Sequence, residues 1–253
     1  MYDVYANPKY YEIAFSYRDI PAEADLLEQV IKQYSHIPVS TVLELGCGPA
    51  PHLAELARRG YQYTGLDLSP AMLEYAQIKA DAVNAPATFT LGDMTDFRLD
   101  GQVDFAFVLL GSLEAGNTAE LVSHFDSVSR ALKPGGLYFL DWCVEFAPSK
   151  ESTDSWEMVS GQITVKTTWR VNLVDPVEQI VEGCLTLEVE DEGAKKVFRE
   201  AIVGRRIYPQ EFLLFIAARS DFEFVGWWND WDLTQPLGGA QEVSRPIIIL
   251  RRV

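Results

Sequence analysis

The chain of 253 residues is 48% hydrophobic and 23% charged, which is typical of a folded globular domain and unlike disordered, collagen-like or membrane-spanning chains. Its 37 acidic and 21 basic side chains give a net charge of −16, which would repel nucleic-acid phosphates and anionic lipids. We therefore expect neither a nucleic-acid partner nor a membrane partner.

The first predicted element is an amphipathic helix over residues 22–34, where apolar residues recur at helical spacing behind Pro21. Short apolar runs then alternate with helical patterns as far as Asp141. The predicted strands are 42–45, 61–66, 88–91, 103–110 and 137–141, and the predicted helices are 53–59, 70–83 and 118–132. This alternation predicts an α/β fold with a doubly wound, mostly parallel sheet.

After Asp141 the apolar residues alternate with polar ones, as in half-exposed antiparallel strands. We interpret residues 143–208 as a strand-rich insertion. A helix over 209–218, a strand over 222–228 and a closing strand over 246–250 then return to the first sheet. The prediction is one structural domain plus an insertion, divided into residues 1–142, 143–208 and 209–253.

No segment has the length of a membrane span or the pattern of a secretory signal, so we expect a cytoplasmic protein. Cys47, Cys143 and Cys184 form no CxxC pair and share no ligand spacing with the three histidines. The sequence therefore predicts neither a disulfide framework nor a metal site.

Glycines and acids follow three of the predicted strands. Gly46 and Gly48 follow the first strand, where glycine lets the backbone approach a ligand closely. Asp67 ends the second strand and could accept both hydroxyls of a ribose, and Asp93 ends the third strand, within reach of an adenine. These residues favour one nucleoside site at the sheet edge, and a glycine turn without a ligand is the alternative.

The same residues resemble the motifs of class I S-adenosylmethionine-dependent methyltransferases. Residues 44–48 (Glu-Leu-Gly-Cys-Gly) resemble the first motif, 65–73 the second and 92–94 the third, while 132–137 resemble the turn before the fifth strand. The resemblance covers most of the chain. It implies a Rossmann-like class I methyltransferase fold, S-adenosylmethionine as cofactor and S-adenosylhomocysteine as product. The cofactor residues that it implies are Glu44, Gly46, Cys47, Gly48, Asp67, Leu68, Asp93, Met94 and Leu109, together with Tyr17 and Arg18.

One detail argues against a dinucleotide enzyme, and one match that would favour such an enzyme lies in the wrong helix. The usual third glycine is Ala50, and Pro49 before it removes a backbone donor, which a methyltransferase tolerates because it seats no pyrophosphate. Tyr75 and Lys79 have the spacing of the catalytic pair of short-chain dehydrogenases. They lie in the helix after the second strand, however, so we interpret the match as coincidence.

Residues 10–19, followed by Glu-Ala-Asp at 23–25, are similar to the lid of small-molecule N-methyltransferases, including those that act on amino sugars. A helix packed by its own aromatic residues is the alternative. The strand 222–228 should run parallel to the others, so that its tryptophans would emerge at the ligand edge, although core packing is also open. The candidate substrate residues are Tyr11, Glu114, Trp142 and Trp228.

The segment after the fourth strand lacks the Asn/Asp-Pro-Pro-Tyr/Phe signature of nucleobase and amide methyltransferases, and it lacks the metal-binding acid of catechol methyltransferases. The candidate catalytic residues are Glu114 and His124, with an ordinary packed histidine as the alternative for His124. We expect N- or O-methylation of a small-molecule acceptor. A non-catalytic binding protein and an aminopropyltransferase on the same fold remain alternatives, and the oligomeric state is left open.

Overall fold

The structure is a computed structural model that describes residues 3–239 and 242–253. Its larger sheet has seven strands in the order β10-β11-β5-β4-β1-β2-β3. In chain order, these strands are β1 (Thr41–Leu45), β2 (Gln62–Asp67), β3 (Ala87–Leu91), β4 (Val103–Val108), β5 (Leu132–Asp141), β10 (Phe222–Trp228) and β11 (Ile247–Arg252). The helices are α1 (Pro8–Ala14), α2 (Ile20–Tyr34), α3 (Leu53–Arg58), α4 (Pro70–Ala82), α5 (Thr118–Ala131) and α6 (Pro209–Ala218).

Strands β1 to β5 pair in parallel, as predicted. All six residues of β4 are buried, because helices cover both faces of the sheet. One core cluster contains Phe125 of α5 and Phe212 of α6, and the other contains Leu27 of α2 and Leu56 of α3. The doubly wound α/β fold predicted from the sequence is confirmed.

Strand β11 is antiparallel to both of its neighbours, β5 and β10. The strand β10 therefore runs in the same direction as β5, and its last residue, Trp228, lies at the carboxyl edge of the sheet. Residues 247–250 are fully buried. The predicted direction of β10 is correct, while the antiparallel direction of β11 was not specified by the sequence pattern.

A second sheet contains the antiparallel strands β6 (Glu151–Ser160), β7 (Ile163–Asp175), β8 (Ile180–Asp191) and β9 (Ala194–Arg205), paired in that order. Val165, Leu187 and Val189 alternate with more exposed residues, which is the predicted period of two. These apolar side chains pack against Ile13 and Ala14 of α1. One face of this sheet is therefore covered by the N-terminal segment.

Helix α1 connects the second sheet to α4. Trp156 Nε1 of β6 donates to the carbonyl oxygen of Ala14 at 2.6 Å, and the Tyr10 hydroxyl donates to Asp191 of β8 at 2.8 Å. On its other side, Glu12 accepts a hydrogen bond from the Tyr75 hydroxyl at 2.8 Å and pairs with Lys79. Within the described ranges, no helix is both long and apolar enough to span a bilayer.

The chain leaves β4 earlier than predicted. Leu110 and Gly111 have φ values of +57° and +66°, so the strand ends at Val108 instead of residue 110. The buried carboxylate of Asp141 accepts a hydrogen bond from Leu110 N–H at 2.8 Å, and Gly111 N–H donates to the Asp141 carbonyl at 2.9 Å. These bonds turn the chain toward the end of β5.

Candidate active site

Two glycines shape the turn after β1 at the carboxyl edge of the larger sheet. Gly46 has a φ of +64° and Gly48 a φ of +51°, in the left-handed region that side-chain-bearing residues seldom adopt. A Cβ atom on Gly46 would lie 3.0 Å from the Met94 side chain. Glycine therefore removes both a conformational and a steric obstacle at this turn.

Asp67, at the end of β2, is fixed beside this turn by two backbone donors. Gly48 N–H donates to Oδ2 and Ser69 N–H to Oδ1, each at 2.8 Å. Burial raises the pKa of Asp67, and the N–H donors of Ser69 and Gly48 oppose that effect. The carboxylate is held in one orientation, and each oxygen keeps a further lone pair for a ligand hydroxyl.

A cavity of about 500 Å³, the large cavity, opens at this edge. Its volume falls within the range of small-molecule sites. It brings together two groups of residues named from the sequence. The implied cofactor residues on its lining are Gly46, Gly48, Asp67, Leu68, Asp93 and Met94, and the candidate substrate residues are Tyr11 and Glu114.

A smaller cavity of about 280 Å³, the N-terminal cavity, shares Tyr11, Gly46, Gly48 and Ser112 with the large cavity. It is lined by the other implied cofactor residues Arg18, Glu44, Cys47 and Leu109. Arg18 and Lys79 also give it two cationic groups, whereas the lining of the large cavity has no lysine, arginine or histidine among the described residues. Tyr17 lies outside both linings, 53% exposed, with its ring 6.0 Å from that of Trp156.

A buried charge network lies behind the N-terminal cavity. His52 contacts Glu44 through Nδ1 at 3.0 Å and Glu23 through Nε2 at 2.9 Å, and Glu23 also pairs with Arg18. Burial alone would lower the pKa of His52, but the two carboxylates outweigh burial and raise it. Likewise, His52 and Arg18 outweigh burial and lower the pKa of Glu23 to about 2.

Sequence reasoning missed His52 and Glu23. They come from the start of α3 and the first turn of α2, and 29 positions separate them in the chain. Neither belongs to a motif or shows a ligand spacing. The one available signal was that both are polar residues beside helix starts, which also describes many solvent-exposed positions.

A third cavity of about 150 Å³, the intersheet cavity, lies between the turn after β4 and the second sheet. Trp142 and Trp169 line it together with Gly183 and Gly204. Trp142, a candidate substrate residue, has a φ of +60° and is 54% exposed. Glu114 lines both this cavity and the large cavity, so its side chain stands where the two meet.

The candidate catalytic role of His124 needs correction. The residue is fully buried in α5 and contacts the Met94 carbonyl at 2.8 Å and the Tyr138 hydroxyl at 2.7 Å. Burial lowers its pKa to about 4, so the ring is a neutral imidazole that donates to Met94 and accepts from Tyr138. Both ring nitrogens are occupied, and His124 orders the segment after β3 instead.

Trp228 is also corrected, from a candidate substrate residue to a core residue. It is 8% exposed, and its ring lies 5.2 Å from that of Tyr34. Trp231, after the same strand, donates through Nε1 to the buried Asp141 at 2.7 Å, and Arg245 binds the same carboxylate through two nitrogens. The chain direction was predicted correctly, but these rings pack against the core because α2, β5 and Asp141 supply their partners.

Comparison with known proteins agrees with this geometry. Residues 42–136 match the model of a methyltransferase domain family. The putative methyltransferase YqeM of Bacillus subtilis (strain 168) is 34% identical over 116 residues, which cover 45% of this chain and 47% of that protein. A dTDP-3-amino-3,4,6-trideoxy-alpha-D-glucopyranose N,N-dimethyltransferase of Streptomyces venezuelae is 30% identical over 142 residues, which cover 54% of this chain and 57% of that protein. The chain thus spans about half the length of the curated relatives that it matches.

Among solved structures, the chain is similar to the sugar N-methyltransferase KedS8 from Streptoalloteichus sp ATCC 53650. The TM-score is 0.74 with 23% identity, over 100% of this chain and 94% of that one. It is also similar to an S-adenosylmethionine-dependent methyltransferase from Clostridium acetobutylicum ATCC 824, with a TM-score of 0.76 and 15% identity over 96% and 95% of the two chains. At these identities the likeness establishes the fold.

Proposed function

We propose that the chain is an S-adenosylmethionine-dependent methyltransferase that acts on a small-molecule acceptor, since residues 42–136 match the methyltransferase domain family. The observation that carries this proposal is the Asp67 carboxylate. Gly48 and Ser69 hold it at the large cavity, where an acid can bind both hydroxyls of a ribose. Nitrogen or oxygen would receive the methyl group.

The residues of the two larger cavities fit the parts of this cofactor. Asp67 and Asp93 supply acceptors for the nucleoside, and Met94 and Leu68 supply apolar contacts for the base. The methionine portion is assigned to the N-terminal cavity, whose two cationic groups, Arg18 and Lys79, are each already paired with an acid of the chain. When bound, the cofactor supplies a methyl group on a positively charged sulfur.

The protein's contribution would be positioning and the exclusion of water. Helix α1 carries Tyr11 over both cavities, and the second sheet holds α1 through Trp156 and Asp191. The protein would hold the acceptor lone pair in line with the methyl carbon, so that the two reactants need not meet by diffusion. In the best oriented reactions this effect lowers the barrier by about 7–11 kcal/mol.

The acceptor is proposed to be a small molecule rather than a nucleic acid. The net charge of −16 and the acidic lining of the large cavity would repel phosphates. Helix α1 and the second sheet also enclose the site, which leaves room for a small molecule.

The test of the cofactor site is Asp67→Asn, measured by calorimetry with S-adenosylhomocysteine. Loss of charge-assisted hydrogen bonds should weaken binding by about 1.5–3 kcal/mol, which is roughly 10- to 150-fold. Asp100→Asn, an exposed aspartate with the same charge change, is the control and should bind normally. Thermal unfolding verifies that both variants fold. Unchanged affinity in Asp67→Asn would remove Asp67 from the site.

Turnover separates the remaining alternatives. Methyl transfer to acceptors supports the enzyme, whereas cofactor binding without transfer to any acceptor pool supports a binding protein. Aminopropyl transfer from decarboxylated S-adenosylmethionine to putrescine would favour an aminopropyltransferase.

A further inference from the structure

The charges around the large cavity are all of one sign. Its lining contains six carboxylates and, among the described residues, no cationic side chain. Several of the acids already have a role within the protein. Asp67 binds two backbone N–H groups, Glu120 accepts from Gly116 N–H and the Asn117 side chain, and Asp3 accepts from Tyr5 N–H. Glu114 is different, because the described part of the chain gives its carboxylate neither a hydrogen bond nor an ion pair.

Glu114 stands between the cavity assigned to the nucleoside and the intersheet cavity. The intersheet cavity is walled by Trp142 and Trp169 and by aliphatic side chains such as Val171 and Ile202. Its volume of about 150 Å³ equals that of cavities known to take up benzene, so it can hold one six-membered ring. An apolar body there would place an attached polar group at Glu114.

The two cations beside the intersheet cavity are not free for an anionic ligand. Arg205 pairs with Glu211, and Arg206 donates to the Ser149 carbonyl and lies 3.7 Å from Glu145. A phosphate-bearing acceptor would therefore meet the unpaired Glu114 carboxylate and no unpaired cation among these lining residues. A cationic group would meet the Glu114 carboxylate and the lining indole rings of Trp142 and Trp169, both of which attract cations.

Building on the proposed function, we propose that the acceptor is a free amine without a phosphate group, and that Glu114 binds its ammonium and removes its proton before methyl transfer. The ammonium gives one proton to a Glu114 oxygen and becomes a neutral amine with a lone pair. That nitrogen then forms a bond to the methyl carbon while the carbon–sulfur bond breaks. The electron pair of the broken bond stays on sulfur, which becomes a neutral thioether. The positive charge moves to the methylated nitrogen, and the proton on Glu114 leaves to solvent.

The surroundings of Glu114 tune it for this role. Glu114 is exposed to the cavities, but the protein around it desolvates the carboxylate, and this effect together with the negative charges of Asp67 and Asp93 raises the pKa of Glu114 to about 7. The other titratable groups that face it are Glu200 of β9 and the hydroxyls of Tyr5 and Tyr11. A carboxylate of this kind is a stronger base than an ordinary glutamate, which favours proton removal from an ammonium.

The experiment measures binding of benzylamine, and of the neutral isostere benzyl alcohol, to protein saturated with S-adenosylhomocysteine. S-adenosylhomocysteine carries no positive charge on its sulfur. The binding measurement therefore reports how the protein recognises the amine, without repulsion between the amine and a charged cofactor. We expect benzylamine to bind at least ~10-fold more tightly than benzyl alcohol, as a charge-assisted contact requires. The preference should fall about tenfold from pH 8 to pH 6, as Glu114 takes up its proton.

The variant Glu114→Gln keeps the size of the side chain and removes its charge. It should lose the preference for benzylamine and its pH dependence, measured at a concentration of S-adenosylhomocysteine that saturates the variant. Glu178→Gln, in the exposed turn between β7 and β8, makes the same charge change and should retain the preference.

Three results would overturn the proposal. These are equal binding of benzylamine and benzyl alcohol at any strength, a preference that survives in Glu114→Gln, and a preference that Glu178→Gln also abolishes. Failure of the protein to bind S-adenosylhomocysteine at all is a different result, because it would contradict the proposed function itself.

Discussion

His52 lies between two buried carboxylates and contacts both. Glu44 is 4% and Glu23 is 6% exposed, and both contact the imidazole. The raised pKa of His52 favours its protonated form, which donates from both nitrogens. Since Arg18 reaches the N-terminal cavity from the same network, His52 also fixes a residue assigned to the cofactor.

We expect His52→Leu to lower the free energy of unfolding by about 3–5 kcal/mol at pH 7, because the change removes one partner from each of two buried carboxylates. Urea unfolding measures the loss, and His36→Leu, at an exposed histidine, is the matched control. A loss below 1 kcal/mol, or an equal loss in the control, would contradict this role.

The pH dependence of stability between pH 7 and pH 5 should become smaller in His52→Leu. In the native chain, the raised pKa of His52 adds stability below about 6.5 that fades as pH rises through the folded-state pKa. The lowered pKa of Glu23 adds stability above about pH 4.5 that is lost toward pH 2. Without the imidazole the first contribution is absent, so the variant should gain less stability than the native chain as pH falls from 7 to 5, which urea unfolding at both pH values measures.

Sequence reasoning could place those residues whose position depends only on the strand that they follow. Gly46, Gly48 and Asp67 follow strand ends, so a motif and its spacing suffice to place them at one edge. The sequence could not show that His52 meets Glu23 or that Trp228 packs on Tyr34. Those contacts depend on how α2 and β10 lie across the sheet, which no local pattern encodes.

Among the elements, α1 depends on the second sheet for its position. Trp156 donates to the end of α1, and its ring lies 5.6 Å from that of Phe15. Tyr11 of the same helix lines both larger cavities. The second sheet thus acts on the proposed cofactor site without being part of the cofactor-binding motifs.

We expect Trp156→Ala to weaken S-adenosylhomocysteine binding by ~3- to 10-fold, because α1 would lose a hydrogen bond and an aromatic contact and would have to be ordered by the ligand. Calorimetry measures the change. Val159→Ala, at an exposed position in the same strand, should bind normally. Equal affinity in the two variants would mean that α1 keeps its position without Trp156.

The sequence predicted most elements to within a few residues, because the alternation of apolar runs and helical patterns is strong in this chain. The predicted helix 70–83 is observed over 70–82, and the strand 222–228 is observed as predicted. The predicted start of β5 at 137 was late, since the strand begins at Leu132. Pro134 and two glycines gave that stretch the composition of a turn, although Leu132 is buried beside β4.

For the molecule as a whole, the acidic charge predicts which acceptor pool is labelled. We expect a labelled cofactor to mark small metabolites, while total RNA stays unlabelled at low and high salt, because a net charge of −16 opposes a polyanion at any approach. Separate incubations with metabolites, RNA and cellular protein measure this. Dominant RNA labelling that weakens with salt would contradict the prediction.

The position of β11 has a consequence for how the fold is reached during synthesis. Residues 247–252 are translated after every other strand, yet they lie inside the larger sheet, between β5 and β10. Until they emerge from the ribosome, β10 has no partner, and β5 presents an unpaired apolar edge that can pair with another nascent chain. The strands of the second sheet follow one another as hairpins and need no later segment, so they can form while the larger sheet is still incomplete.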